Sequence, residues 1–148
     1  MTAGGNLIKY HGEITARTEY LTISKVLWNS FLSTKEANFM GINIGNFYLG
    51  TPMDRYEYMK IPLSIFTQHI IYQYDLHSRV RNRCVYHNIR RAIYGLPQAG
   101  ALANVQLQKI IATAGYYKIS HTPGLWRHIT RPIQFTFLVD DFGVKYVG

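Results

Sequence analysis

Two adjacent aspartates, Asp140 and Asp141, are the residues whose type and placement most invite chemistry. The segment Phe135-Thr136-Phe137-Leu138-Val139 runs straight into them, and Phe142-Gly143-Val144 resumes the apolar pattern at once. Two anions this close repel each other unless a cation screens them. On a straight strand they point to opposite faces, whereas at a tight bend both can approach one site. Oxygen ligands at such a bend suit Mg²⁺, which takes one or two protein carboxylates and fills its remaining positions with phosphate and water. Taken alone, an Asp-Asp pair is more often a solvated polar turn.

The second group is basic. Arg79, Arg81, Arg83, Arg90 and Arg91 are interleaved with His77, Tyr86 and His87. Guanidinium groups beside aromatic rings can pair with phosphates and stack on bases; the plain alternative is a solvated basic face. The whole chain leans the same way, with 16 Lys and Arg against 8 Asp and Glu and a formal charge of +8. A basic domain attracts polyanions, and nucleic acid is the commonest of them. The six histidines are scattered and form no tight metal-binding doublet. A single cysteine, Cys84, excludes an intrachain disulfide and a cysteine-based metal framework.

The acids sit in the clearest hairpin pattern, a strand over 133–139 and another over 142–147. The clearest helix covers 98–114, with Ala103, Leu107, Ile110, Ile111 and Ala114 on one face and Gly115 at the left-handed C-terminal position. A helix over 18–31 would set Leu21, Leu27, Trp28 and Phe31 on one side. Strands are expected over 37–44, 56–61, 85–94 and 125–129, with Pro62 ending the second. A turn or short helical corner spans 46–52, and a helix over 67–76 has Thr67 as its N-cap. The glycine-rich opening, 1–6, should fray. Helices and strands mix without regular alternation, so the expected class is α+β, with helices packed on one face of an antiparallel sheet.

At 148 residues, 47% hydrophobic and 16% charged, the chain suits one folded domain rather than a disordered segment. No apolar run approaches the ~20 residues of a spanning helix, and the N-terminus lacks a secretory apolar stretch. A soluble, intracellular, unsecreted protein without a membrane partner is expected.

Context raises the standing of the two acids. Asn43-Ile44-Gly45-Asn46-Phe47-Tyr48-Leu49, then Glu57-Tyr58-Met59, then Tyr94-Gly95-Leu96-Pro97-Gln98-Ala99, then the acid hairpin resemble, in order and approximate spacing, the motifs of copia-type retrotransposon reverse transcriptases. The resemblance runs from about Phe39 to Gly148, and more weakly back to Gly4. It implies a palm over 37–148 with a fingers insertion, a fingers remnant over 1–36, and no thumb or RNase H domain. The last strand of the hairpin would then have few partners on its far side.

The same resemblance implies roles. Asp140 and Asp141 would hold two catalytic Mg²⁺ ions for nucleotidyl transfer. Tyr48 would stack under the incoming sugar, and backbone amides around Asn46 and Phe47 would cradle the triphosphate. Gln98 would lie against nucleotide and template; Arg79, Arg81 and Arg83 would grip nucleic acid. Partners would be an RNA or DNA primer–template and a deoxynucleoside triphosphate, with integrase and RNase H elsewhere in the parent element. Packing alone would explain Phe47 and Tyr48 if the flanking motifs were absent.

One departure matters. The family has an aspartate bridging both metals where this chain has Asn43. An amide oxygen carries no net charge, and Asp54 and Glu57 lie beyond the turn and are not expected to replace it. The expectation is therefore an impaired polymerase fragment. Alternatives are a non-catalytic basic nucleic-acid-binding module, or an expressed remnant without a role.

Overall fold

The computed structural model describes residues 8–15, 21–122 and 124–148. Its elements are α1 (Leu21–Leu32), β1 (Ala37–Asn43), β2 (Pro52–Pro62), α2 (Gln68–Gln73), β3 (Cys84–Arg91), α3 (Ala99–Thr113), β4 (Tyr116–Lys118), β5 (Leu125–His128), β6 (Ile133–Leu138) and β7 (Asp141–Val147), with short 3-10 turns at Phe47–Gly50, Leu63–Ile65 and Leu76–Arg79. One antiparallel sheet has five strands in the order β1-β7-β6-β5-β4, and β2 and β3 form a second. The α+β class holds.

Strand alternation gives the larger sheet two working faces. On one, Trp126, Phe135, Phe137 and Val144 pack with Ala103, Leu107 and Ile111 of α3 and with Phe47. Burying each of these large side chains contributes about 1.5–3 kcal/mol. On the other face, Trp28 of α1 lies against Phe39 of β1 with ring centroids 4.4 Å apart, and Leu27 is buried. Gly143 makes that possible: a Cβ there would come within 3.0 Å of the Phe39 ring. Lys145, buried on the same face, donates from Nζ to Ser30 O (3.0 Å), Ser30 Oγ (2.6 Å) and Thr34 Oγ1 (2.7 Å).

Helices therefore cover both faces, not one. The physical reason lies in the strands: Phe39 and Leu125 face away from Phe135 and Phe137, so each side presents apolar surface that needs cover. The final strand is also better protected than expected. Its far side pairs with β1 in the register Ala37↔Val147 to Asn43↔Asp141, and the sheet edges are β1 and β4.

The second sheet closes over two smaller apolar groups. Ile71, Leu76 and Val85 pack beneath it, while Met53, Ala92, Leu96 and Ala99 tie it to the start of α3. The helix expected over 67–76 is cut at Gln73 because Asp75 adopts a left-handed conformation, and Thr67 makes no side-chain cap bond. The strand expected from 56 begins at Pro52, since a proline is tolerated where a strand end leaves its nitrogen unpaired. Of the helix expected over 18–31, positions 18–20 lie outside the described residues, as does the opening 1–6. Gly115 has φ 86, the left-handed stop anticipated for α3. No helix among the described residues is long and apolar enough to cross a membrane.

Candidate active site

The β6–β7 hairpin pairs Leu138 with Asp141, which leaves Val139 and Asp140 as a two-residue loop. Val139 has φ 60, a position where a β-branched residue is strained by about 1–3 kcal/mol. Positive φ at the first loop position matches the right-handed twist of the flanking strands, which is why tight hairpins ask for it. The two acids thereby leave the bend differently. Asp141 is the first residue of β7 and is exposed; Asp140 occupies the loop itself and is half-buried.

Asn43 ends β1 directly opposite Asp141. Its Nδ2 donates to Asp141 Oδ1 at 2.7 Å across 98 residues of sequence, and the next amide, Ile44 N–H, donates to Asp140 O at 2.8 Å. The start of the first motif and the acid pair thus meet at one sheet end. Asp141 and its neighbours on that face also line a groove of about 250 Å³ against Ser24, Leu27 and Trp28 of α1.

Tyr48 reaches the same end from the 3-10 turn. Its ring meets Tyr94 edge-on at 4.6 Å, and a Cβ placed on Gly100, near the start of α3, would lie 4.0 Å from its hydroxyl. Burial raises the Tyr48 pKa above its ordinary value, with further increments from Tyr94 and from the Asp140 carboxylate. Phe47 is buried in the main core, so its side chain serves packing. Asn46 is left-handed (φ 55, ψ 34) immediately before the helical turn. A left-handed residue beside right-handed ones is the backbone pattern that gathers N–H groups into an anion nest.

Gln98 is fully buried. Its Nε2 donates to Glu57 Oε1 at 3.3 Å, and its Oε1 has no hydrogen-bond partner among the described residues. Within the Tyr94–Ala99 corner it is turned to Glu57 rather than to an open surface. Glu57 also takes a 2.6 Å ion pair from Arg55, and Asp54 accepts from Tyr10 at 3.0 Å, so neither acid joins the Asp140–Asp141 pair. Glu57 as the partner of Gln98 escaped sequence reasoning, because no local pattern links residues 41 apart.

Arg79, Arg81 and Arg83 lie in the segment that leads into β3 of the second sheet, not in the sheet that carries the acids. Arg81 and Cys84 exchange backbone hydrogen bonds of 2.8 and 3.0 Å around Asn82 (φ 50) and Arg83 (φ 61), a tight turn with both central residues left-handed. All three arginines are exposed and have no ion pair among the described residues.

The donor set fits a two-cation centre poorly. Of the three positions that the resemblance assigns to metal ligands, two are carboxylates and the third is an amide whose N–H points at one of them. That hydrogen bond satisfies Asp141 without a metal, and a neutral amide cannot bridge two divalent ions as a carboxylate can. Among the described residues no three His, Cys, Asp or Glu side chains cluster as a metal site. Set beside known proteins, the chain matches no family model, no curated protein and no solved structure.

Proposed function

We propose that this chain is the palm core of a copia-type reverse transcriptase, disabled for nucleotidyl transfer at Asn43. The observation that carries the reading is the facing pair Asn43–Asp141, in register at the strand ends, with Asp140 in the adjoining loop. Asn43 of the first motif and the acid hairpin meet at one end of one sheet, Tyr48 lies beside them, and the Tyr94–Ala99 motif reaches the group through the Tyr94–Tyr48 ring contact. Phosphoryl transfer relies on positioning and on charge stabilisation, so replacing an anionic ligand by an amide removes what the reaction needs most. The expected loss is several orders of magnitude, at least the ~10²–10³ that one missing oxyanion donor costs.

The test restores the charge. In Asn43→Asp two carboxylates face each other across the β1–β7 pair, a repulsion that a divalent cation relieves. Mn²⁺ binding followed by electron paramagnetic resonance should tighten about tenfold or more relative to the unsubstituted chain, and adding Asp141→Asn should reverse the gain. Equal Mn²⁺ affinity in the Asn and Asp forms would refute the metal-site reading.

A second reading, a basic module that binds nucleic acid without catalysis, draws on the exposed Arg79, Arg81 and Arg83. The two are compatible, since a palm that has lost its chemistry can retain its affinity for polyanions.

A further inference from the structure

The outer face of the second sheet is built like a base-stacking platform. Alternation along β2 puts Tyr56, Tyr58 and Lys60 on one side, while Glu57, Met59 and Ile61 turn inward. Across the register, Tyr58 faces Asn88 and Lys60 faces Tyr86, which sets Tyr86, Asn88 and Arg90 on that same outer side. Tyr56, Tyr58 and Tyr86 are 52, 71 and 53% exposed. Arg90 lies over the Tyr56 ring at 5.8 Å. The core explains none of this: three aromatic rings on the outside of a two-stranded sheet bury little apolar area.

The spacing suits a polymer of flat rings. Residues two apart on a strand are ~7 Å apart, and diagonal neighbours across a pair are ~7–8 Å apart. Tyr56, Tyr58 and Tyr86 therefore form a row of three rings in steps that a stretched single strand can follow. Lys60 and Arg90 flank the row; Glu57 is turned inward to Gln98 and Arg55, and Asp54, beyond the register shift near the start of β2, accepts from the Tyr10 hydroxyl. Charge selects a polyanion, and the exposed π-faces select one that has bases to stack. A duplex hides its base faces.

We infer that this face binds single-stranded nucleic acid by stacking bases on Tyr56, Tyr58 and Tyr86, with Lys60 and Arg90 on the phosphates. The inference does not rest on the palm reading, because it needs neither the acid pair nor a metal.

Fluorescence anisotropy of the full chain with a labelled 12-nucleotide oligo(U), in EDTA and without nucleotide, tests it apart from the metal site. Single strand should bind more tightly than a 12-base-pair duplex. Tyr58→Ala and Tyr86→Ala should each weaken binding about fivefold or more, and Tyr58→Phe should bind like the unsubstituted chain. These residues are exposed, so the variants should keep the parent circular dichroism spectrum. Unchanged affinity in both alanine variants, an equal loss in Tyr58→Phe, or equal affinity for duplex would each overturn the stacking platform. None of those outcomes touches the Asn43→Asp metal experiment, which stands or falls separately.

Discussion

Val139 concentrates the local conflict in this molecule. A strand-favouring residue continues the apolar run of β6, yet the two-residue loop that follows holds it at φ 60. At such a position the usual preference for a side chain over glycine reverses, because the Cβ clashes with the backbone. Val139→Gly should therefore be more stable than Val139→Ala by about 1 kcal/mol, measured by urea denaturation, although both lose the packing of the valine against the core. Alanine proving the more stable would mean the loop does not impose positive φ. Much at this scale could be read from sequence: the acid pair at a bend, the amide at Asn43, the turn before Tyr48. That Asn43 meets the acids followed only from the resemblance, and its exact register opposite Asp141 could not be read at all, because a register between strands 98 residues apart has no local signature. Nor could the burial of Gln98, which depends on Glu57 arriving from another strand.

At the scale of elements, the strongest periodicities survived best. α3 and the β6–β7 hairpin lie within a residue or two of where the 3.6 and 2.0 repeats put them, since both bury a continuous stripe. β4 was missed, because three residues carry too little pattern to register. The position of α1 was the larger surprise: its apolar side covers the face opposite α3. Lys145 is the polar element of that docking. Its ammonium group is buried with three oxygens from Ser30 and Thr34, at the end of α1, where unpaired carbonyls favour a cation. Lys145→Met keeps the length of the side chain and removes all three donors. It should cost about 2 kcal/mol, and hydrogen exchange should show the α1 amides losing protection before those of α3. Uniform loss of protection across both helices would mean that α1 docks by its apolar contacts alone.

For the whole molecule, what stands out is how the charge of +8 is deployed. Among the described residues only Lys35–Glu36 and Arg55–Glu57 form ion pairs, so most cations stay available to a polyanion. Arg79, Arg81 and Arg83 crowd the turn that leads into β3, the strand that also carries Tyr86 and Arg90. Phosphate contacts and base stacking leave different signatures. Each neutralised phosphate on a single strand changes the slope of log affinity against log salt by ~0.7, whereas stacking leaves it nearly unchanged. Replacing the three arginines by glutamine should therefore reduce the slope for oligo(U) by about 2, while Tyr58→Ala lowers affinity at every salt concentration and keeps the slope. If the triple variant retained the original slope, those arginines would not touch phosphates, and the attraction would have to arise from cations spread over the rest of the surface.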